Sequence, residues 1–353
     1  MTALRGYVPA SMNHTPVGVH SLDQPHGRAV LKVATISVLV ALASLCLPLG
    51  HAGAQDLRDK TIRIIVPFAP GGTSDTLTRL LGQQATQTSG QRIVVENRPG
   101  AGTVIASEAV ARSTADGTTL LVMSNSFVIN GLVRASLPYD PLTSFEPVCF
   151  LVDSPQVLVV NETSPHRTLK ELVDAARARP GELSYAAVGP ATTQHIAGEM
   201  FKQAAGINLT YVPYGGGAPA VTALVGGHVS TALANYNEVM EHVRSGKLRP
   251  LAVASRQRIA PLPDVPTFIE AGYEDFETSA FFGVVAPART PKEMIAQLAA
   301  MFTGALKAPD VTAKLVAQGL DIVGTCGEDF RAHIRRQHDK YARAIRAGNI
   351  KAE

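Results

Sequence analysis

Twice along this 353-residue chain a run of strand length breaks into a loop of glycine and small residues, and then into a helix that opens on hydroxyl side chains. The first instance is "IIVPFAPGGTSDTLTRLL" (residues 64–81) and the second is "YAAVGPATTQHIAGEM" (residues 185–200). A strand that feeds a helix through so short a loop, repeated down a chain, builds the layered α/β class with a largely parallel sheet. Around the first instance the pattern continues with the strand "QRIVVENRPG" closed by a Pro-Gly turn, the helix "TVIASEAVARST", a turn at Asp116-Gly117 and the strand "TTLLVMS". A second cycle begins near residue 157 with "VLVVN", the helix "TLKELVDAARARPG", the strand "LSYAAV" and a helix ended at Gly206. The strands "LTYVPY", "VSTALAN" and "LRPLAVAS" follow, with the helix "APAVTALVGG" between the first two. From "FFGVVAP" (residues 281–287) onward come two helices around "LDIVG", too little for a third unit. This tail most simply completes the first unit's sheet. The expected organisation is a lobe of residues 55–156 plus 278–353, a second lobe of residues 157–277, and a cleft at the hinge between them.

Residues 1–54 are read as a leader rather than as fold. Arg28 and Lys32 precede the apolar run "VATISVLVALASLCL" (residues 33–47), too short for a comfortable membrane span. Small residues at Ala52 and Ala54 then mark a secretory cleavage site between Ala54 and Gln55. Acylation at Cys46 is the rival, and Leu45 argues against it because such sites want a small residue there. The stretch before the run is long, and a start at Met12 is the alternative. Without residues 1–54 the chain is nearly neutral, with no basic run of the kind nucleic acid requires. Cys149 and Cys326 are then the cysteines that remain, too few for a disulfide framework and without metal-ligand spacing. Two buried thiols are the simpler reading, and a single long-range bridge in an oxidising compartment is the other.

The loops carry the chemistry. Gly71 and Gly72 leave the backbone free to turn amides inward, and the helix from Thr73 adds unpaired N–H groups and the positive end of its dipole, which together favour an anion. The plainer reading is a strand-to-helix turn capped by Ser74 or Asp75. Gly189, Thr192 and Thr193 repeat the construction, and "PYGGGAPA" (residues 213–220) adds a third glycine-rich loop. Enzyme motifs fail in turn. "GAGTVI" at Gly100 has Ile105 where a dinucleotide fingerprint has Gly or Ala, and there is no Walker loop, no G-x-S-x-G elbow and no H-E-x-x-H. His195 lies inside a helix with no partner acid in its own segment, so a capping, core or ligand-contacting histidine is expected in preference to a base.

"IRIIVPFAPGGTSDTLTRLL", "VVENRPGAGT", "LPYDP", "YVPYGGGAPAVTALVGGHV", "SGKLRPLAVAS", "LPDVPTFIEAGY" and "GVVAPARTPKE" give the chain a resemblance to the Bug (Bordetella uptake gene) family. These are periplasmic solute-binding proteins of tripartite tricarboxylate transporters, and the likeness runs in order from about Thr61 to Tyr341. The resemblance implies a two-lobed, type II-like periplasmic binding protein that closes on a small carboxylate and hands it to membrane permease subunits. It also implies a monomer with no cofactor, no metal and no catalytic residue. By that resemblance the ligand is held by backbone amides of Phe68, Ala69, Gly71, Gly72, Thr73 and Asp75 on one side and by Gly189, Thr192, Thr193 and His195 on the other. Tyr214, Gly216 and Gly217 would line the remaining wall. The chain departs from the family pattern at Ala187, Val188, Ala191, Gly215, Ser230 and Phe281, which implies a less polar cleft and argues against a highly charged tricarboxylate such as citrate. Two other roles use the same cleft: a ligand sensor for a membrane partner, and a periplasmic enzyme acting through His195 and Asp75.

Overall fold

A computed structural model describes Gly18, Leu57, residues 60–274 and residues 276–348. The proposed cleavage at Ala54-Gln55, the rival lipid site at Cys46 and the alternative start at Met12 lie outside the described residues. By contacts the chain divides into residues 1–54 and 55–353, and the second unit contains every element described below. No helix among the described residues is long and apolar enough to cross a membrane.

Each strand–loop–helix run read from the sequence forms as such. Strand β1 (Ile62–Val66) is buried along nearly its whole length, as expected for a parallel strand covered on both faces. It pairs in parallel with β2 (Ile93–Asn97) and β3 (Thr119–Ser124). Helix α1 (Thr73–Ser89) follows β1 and ends where Gly90 turns left-handed and its N–H returns to Thr86. Helices α2 (Val104–Ala111) and α3 (Asn125–Val133) complete this part. In the second cycle, α4 (Leu169–Ala178) precedes β5 (Ser184–Val188), α5 (Thr193–Ala205), β6 (Thr210–Tyr214), α6 (Gly217–Val225), β7 (Thr231–Asn235), α7 (Tyr236–Arg244) and β8 (Leu248–Val253). Strands β5, β6 and β7 again run parallel.

The sheet departs from the expected parallel pattern at its centre. Strand β4 (Phe145–Asn161) is a single run of 17 residues, not a second cycle that begins afresh at 157. Its first part pairs antiparallel with β9 (Ser279–Pro287) and β10 (Asp321–Cys326), and its last part pairs antiparallel with β7 and β8. The full order is β2-β1-β3-β9-β4-β7-β5-β6, with β8 and β10 also on β4. The reason is topological: the chain leaves the first half of the sheet along β4 and returns along β9, so these two strands run in opposite senses. Helix α8 (Lys292–Lys307) stops at extended Ala308, and Pro309 starts α9 (Pro309–Ala317), because proline fits the first turn of a helix and not its interior. With α10 (Glu328–Gly348) the tail holds three helices where two are expected.

Apolar side chains fill both faces of each half. One cluster joins Ile62, Ile64, Val66, Leu77 and Leu120 to Phe282, Val284, Leu298 and Phe302 from the tail, which ties the last strands and helices to the first half. Leu158, Val160, Leu172, Val173, Phe201 and Phe268 form a separate core in the second half. The reading of Cys149 and Cys326 as free thiols is corrected. They face each other in the β4–β10 ladder and are joined as a disulfide, because the tail strand brings residue 326 into register with residue 149.

Candidate functional site

Five helices begin at one point. A small cavity of about 20 Å³ is lined by Thr73 and Ser74 of α1, Thr193 and Gln194 of α5, and Gly217 of α6, with Ser124 and Asn235 at the residues preceding α3 and α7. Its remaining lining comes from Phe68, Gly72, Val188, Glu238, Ala280 and Phe282. Each helix start carries the equivalent of about half a positive charge, in amides without an intrahelical partner. The backbone N–H groups of Ser74, Thr193, Gln194 and Gly217 find no protein acceptor among the described residues. No Lys, Arg or His lines the cavity.

The entry to α1 shows how the sequence sets this up. Gly71 is left-handed at φ +87, a region that side chains resist, while Gly72 is extended at φ −79. The turn therefore needs glycine at 71, and at 72 it needs only room. A Cβ at Gly72 would stand 3.3 Å from Glu238 Oε1 and 3.6 Å from the Gly217 amide, so the starts of α1 and α6 meet edge to edge. On the second loop Thr192 caps α5, its Oγ1 accepting from His195 N at 3.3 Å. His195 Nδ1 in turn accepts from Ala191 N at 3.3 Å, steadying a non-glycine residue held at φ +58, and its ring lies 4.4 Å from that of Tyr211.

Asp75 is placed behind the loop. Its Oδ2 accepts from the Gly71 amide at 2.9 Å, and its Oδ1 from Arg79 Nε and Asn97 Nδ2, each at 2.9 Å. Burial opposes ionisation of Asp75, but the hydrogen bonds from Arg79, Gly71 and Asn97 and the Arg79 charge outweigh it and hold the carboxyl below its usual range. The Gly71 amide is therefore occupied by the protein's own carboxylate.

A second, open cavity of about 230 Å³ adjoins the first, sharing Phe68 and Val188. Gly189, Thr192 and Tyr214 line it, as do Gly100 to Thr103 and Gly215. Residues 100–103 all have positive φ, including Ala101 at +47 and Thr103 at +89. Each such non-glycine residue costs about 1–2 kcal/mol. Asn130 Nδ2 donates to Gly102 O at 2.6 Å and Arg134 Nη2 to Ala101 O at 2.9 Å, which offsets that cost. A Cβ on Gly102 would fall on the Pro190 carbonyl, so this loop touches the second half directly.

Of the residues singled out from sequence, Phe68, Gly72, Thr73, Thr193 and Gly217 line the small cavity, and Phe68, Gly189, Thr192 and Tyr214 line the open one. Ala69, Gly71, Asp75, His195 and Gly216 line neither and support those that do; Ala69 N, for example, donates to Gly215 O at 3.1 Å. Phe281 faces away from the cleft into a cluster with Phe150 and Phe330, while its neighbours Ala280 and Phe282 face inward. Ser230 pairs with Ser184 at the far end of β5. Sequence reasoning missed Ser124, Gln194, Asn235 and Glu238. Helix α7 had a signal in Asn235 followed three residues later by Glu238, the spacing of a capping box.

Glu238 is the cavity's ionisable group. Its Oε1 accepts from Thr73 N at 3.0 Å and Thr73 Oγ1 at 2.9 Å, and Asn235 also bonds it. Burial raises the Glu238 carboxyl above its ordinary range, with the bonds from Thr73 and Asn235 acting against the shift.

Known proteins resemble this chain in sequence and fold. The protein BugT of Bordetella pertussis is 36% identical over 321 residues, covering 90% of this chain and 98% of BugT. The solved structure of the periplasmic binding protein BugD is 31% identical, with a TM-score of 0.80 over 83% of this chain and 99% of BugD. An R. palustris protein solved with adipate is 32% identical, also with a TM-score of 0.80, over 83% of this chain and 99% of its own. The fold is accordingly that of the two-lobed periplasmic binding proteins. Residues 77–350 match the model of the tripartite tricarboxylate transporter family receptor, and the chain belongs to that family.

Proposed function

We propose that this protein captures a small organic carboxylate between its two halves outside the cytoplasm and delivers it to the membrane permease subunits of a tripartite transporter. The observation that carries the reading is the meeting of five helix starts, drawn from both halves of the sheet, at a cavity whose lining holds unpaired amides and no basic side chain. Such a site suits a carboxylate, since each amide bond to a charged oxygen contributes about 1.5–3 kcal/mol before desolvation and closure are subtracted. The adipate bound by the R. palustris relative is of this class. In this reading the ligand contacts Phe68, Gly72, Thr73, Thr192, Thr193 and Gly217, with Gly189 and Tyr214 at the open end.

The moving parts are residues 55–156 with 278–353 and residues 157–277, hinged where β4 and the segment before β9 cross between them. The protein works as a monomer, exported with cleavage after Ala54, and it returns its ligand unchanged. The enzymatic alternative draws no support from the placement of its two groups, since Asp75 holds Gly71, Arg79 and Asn97, and His195 holds the Ala191 amide. Native mass spectrometry of the freshly purified protein tests the reading. A co-purifying small carboxylic acid that rebinds in calorimetry supports it, whereas conversion of that acid by the purified protein, or a bound ligand without a carboxylate, overturns it.

A further inference from the structure

Glu238 occupies ground that an anion-binding cleft reserves for its ligand. Its carboxyl takes the first amide of α1 through Oε1, at 3.0 Å from Thr73 N, and packs so closely on the start of α6 that a Cβ at Gly217 would fall on it. The groups facing it are Gly72 and Thr73 from α1, Gly217 from α6 and Asn235 at the head of its own helix. None is basic. Arg79, one turn along α1, is turned to Asp75 and Asn97.

Capping accounts for only part of this placement: Asn235, at the head of the same helix, bonds Glu238 through its backbone and side chain, and Glu238 also reaches across to Thr73 of α1 in the other half of the sheet. Against the ionised form of Glu238 a dicarboxylate spanning the cleft would bring a second negative charge with no cation to separate them, and like charges set together at an interface cost several kcal/mol. The amides of Thr193, Gln194 and Gly217 remain free for one carboxylate.

We propose that Glu238 sets the ligand class: the cleft takes a molecule with one carboxylate, held by the amides of α5 and α6, and a nitrogen-borne hydrogen-bond donor, ammonium or amide, that meets Glu238. This rests on the carboxylate reading above and narrows it. Glu238 replaces the second anion that a dicarboxylate would bring; Thr73 takes its Oε1, Asn235 bonds the same carboxyl, and a donor on the ligand meets the part of it that lines the cavity.

Calorimetry with size-matched probes tests it: succinate against succinamate and 4-aminobutyrate, and adipate against adipamate and 6-aminohexanoate, each on wild type, Glu238→Gln and Glu238→Asp. Wild type should favour the donor-bearing member of at least one set by about tenfold or more, about 1.4 kcal/mol. Glu238→Gln, which keeps the acceptor for Thr73 and loses the charge, should bring that ratio to one or below. Glu238→Asp should keep its sign. Melting of the unliganded variants shows that they fold. If a dicarboxylate binds wild type as tightly as its monoamide and amine, or if Glu238→Gln leaves the ratio unchanged, Glu238 does not select the ligand and the carboxylate reading stands without it. If no probe in either set binds, the carboxylate reading itself falls, and this inference with it.

Discussion

Asp75 of α1 and Glu238 of α7 both hold backbone amides at the entry to α1, and their surroundings move them in opposite directions. Asp75 is held below its ordinary range, so the stability it contributes is present above the unfolded-state value and is lost as pH falls through the lower folded value. Asp75→Asn should therefore cost about 1–3 kcal/mol at neutral pH, where it leaves the Gly71 amide and Arg79 with a poorer acceptor. The difference from wild type should shrink toward zero in strong acid. Urea unfolding at a series of pH values measures both. Glu238 is raised by burial, so it favours the fold at low pH and that benefit is lost as pH climbs from the unfolded value through the raised folded one. Glu238→Gln removes this loss, and its stability relative to wild type should improve on going from acid to neutral pH, the reverse of the Asp75→Asn trend. The glycine pair divides in the same manner. Gly71→Ala puts a side chain at φ +87 and should destabilise by about 1–2 kcal/mol. Gly72→Ala meets no such strain and instead presses on Glu238, so it should leave melting nearly unchanged and weaken ligand binding.

Among the elements, the β4–β10 ladder carries the disulfide between Cys149 and Cys326, 177 residues apart. Closing so long a loop constrains the unfolded chain by up to about 5 kcal/mol on the chain-entropy account, and engineered cases often deliver less. The double serine variant should therefore melt well below the oxidised wild type yet bind ligand with unchanged affinity, because neither cysteine lines either cavity. A tenfold loss of affinity would show that the bridge shapes the cleft. The same ladder explains what the sequence concealed. Strand periodicity and turn residues made β1, β3, β5 and their glycine loops legible, since each is set by local chemistry: β-branched runs, a loop glycine, hydroxyls at the helix start. The 17-residue β4 was not legible, because "FEPVCFLVDSPQVLVVN" contains two prolines that read as breaks, yet the partner changes from β9 to β7 around Pro155 and the strand runs on. The pairing of Cys149 with Cys326 was hidden for the same reason, being a consequence of which distant strand β10 joins. Phe281 and Phe282 show the limit at the site: adjacent in sequence, they sit on opposite faces, and only the register with β3 and β4 says which one enters the cleft.

For the whole molecule, the question is what holds the two halves together over a cavity too small for any organic acid. A volume of about 20 Å³ admits little more than a water, so on the proposed two-lobed reading the halves part to let a ligand reach the helix starts. The contacts that must break converge on Thr73. Its Oγ1 accepts from Asn235 Nδ2 at 3.0 Å and lies within donating distance of Asn237 Oδ1, at 3.0 Å, and Glu238 Oε1, at 2.9 Å. One hydroxyl proton serves only one acceptor at a time, so the side chain contributes two hydrogen bonds across the cleft, together about 1–3 kcal/mol. Thr73→Val keeps the shape and removes both. If the halves are hinged as proposed, the variant shifts the unliganded population toward open forms by about fivefold to a hundredfold. X-ray scattering should then give it a larger radius of gyration than wild type. Saturation with the acid found by native mass spectrometry should return both proteins to the same compact value. The added ligand should also raise apparent stability by about 2.7 kcal/mol at a hundredfold excess over the dissociation constant. A variant that scatters as wild type does with and without ligand, while binding the acid with unaltered affinity, would mean that Thr73 does not latch the halves and that closure depends on the loop contacts at Ala69–Gly215 and Gly102–Pro190 instead.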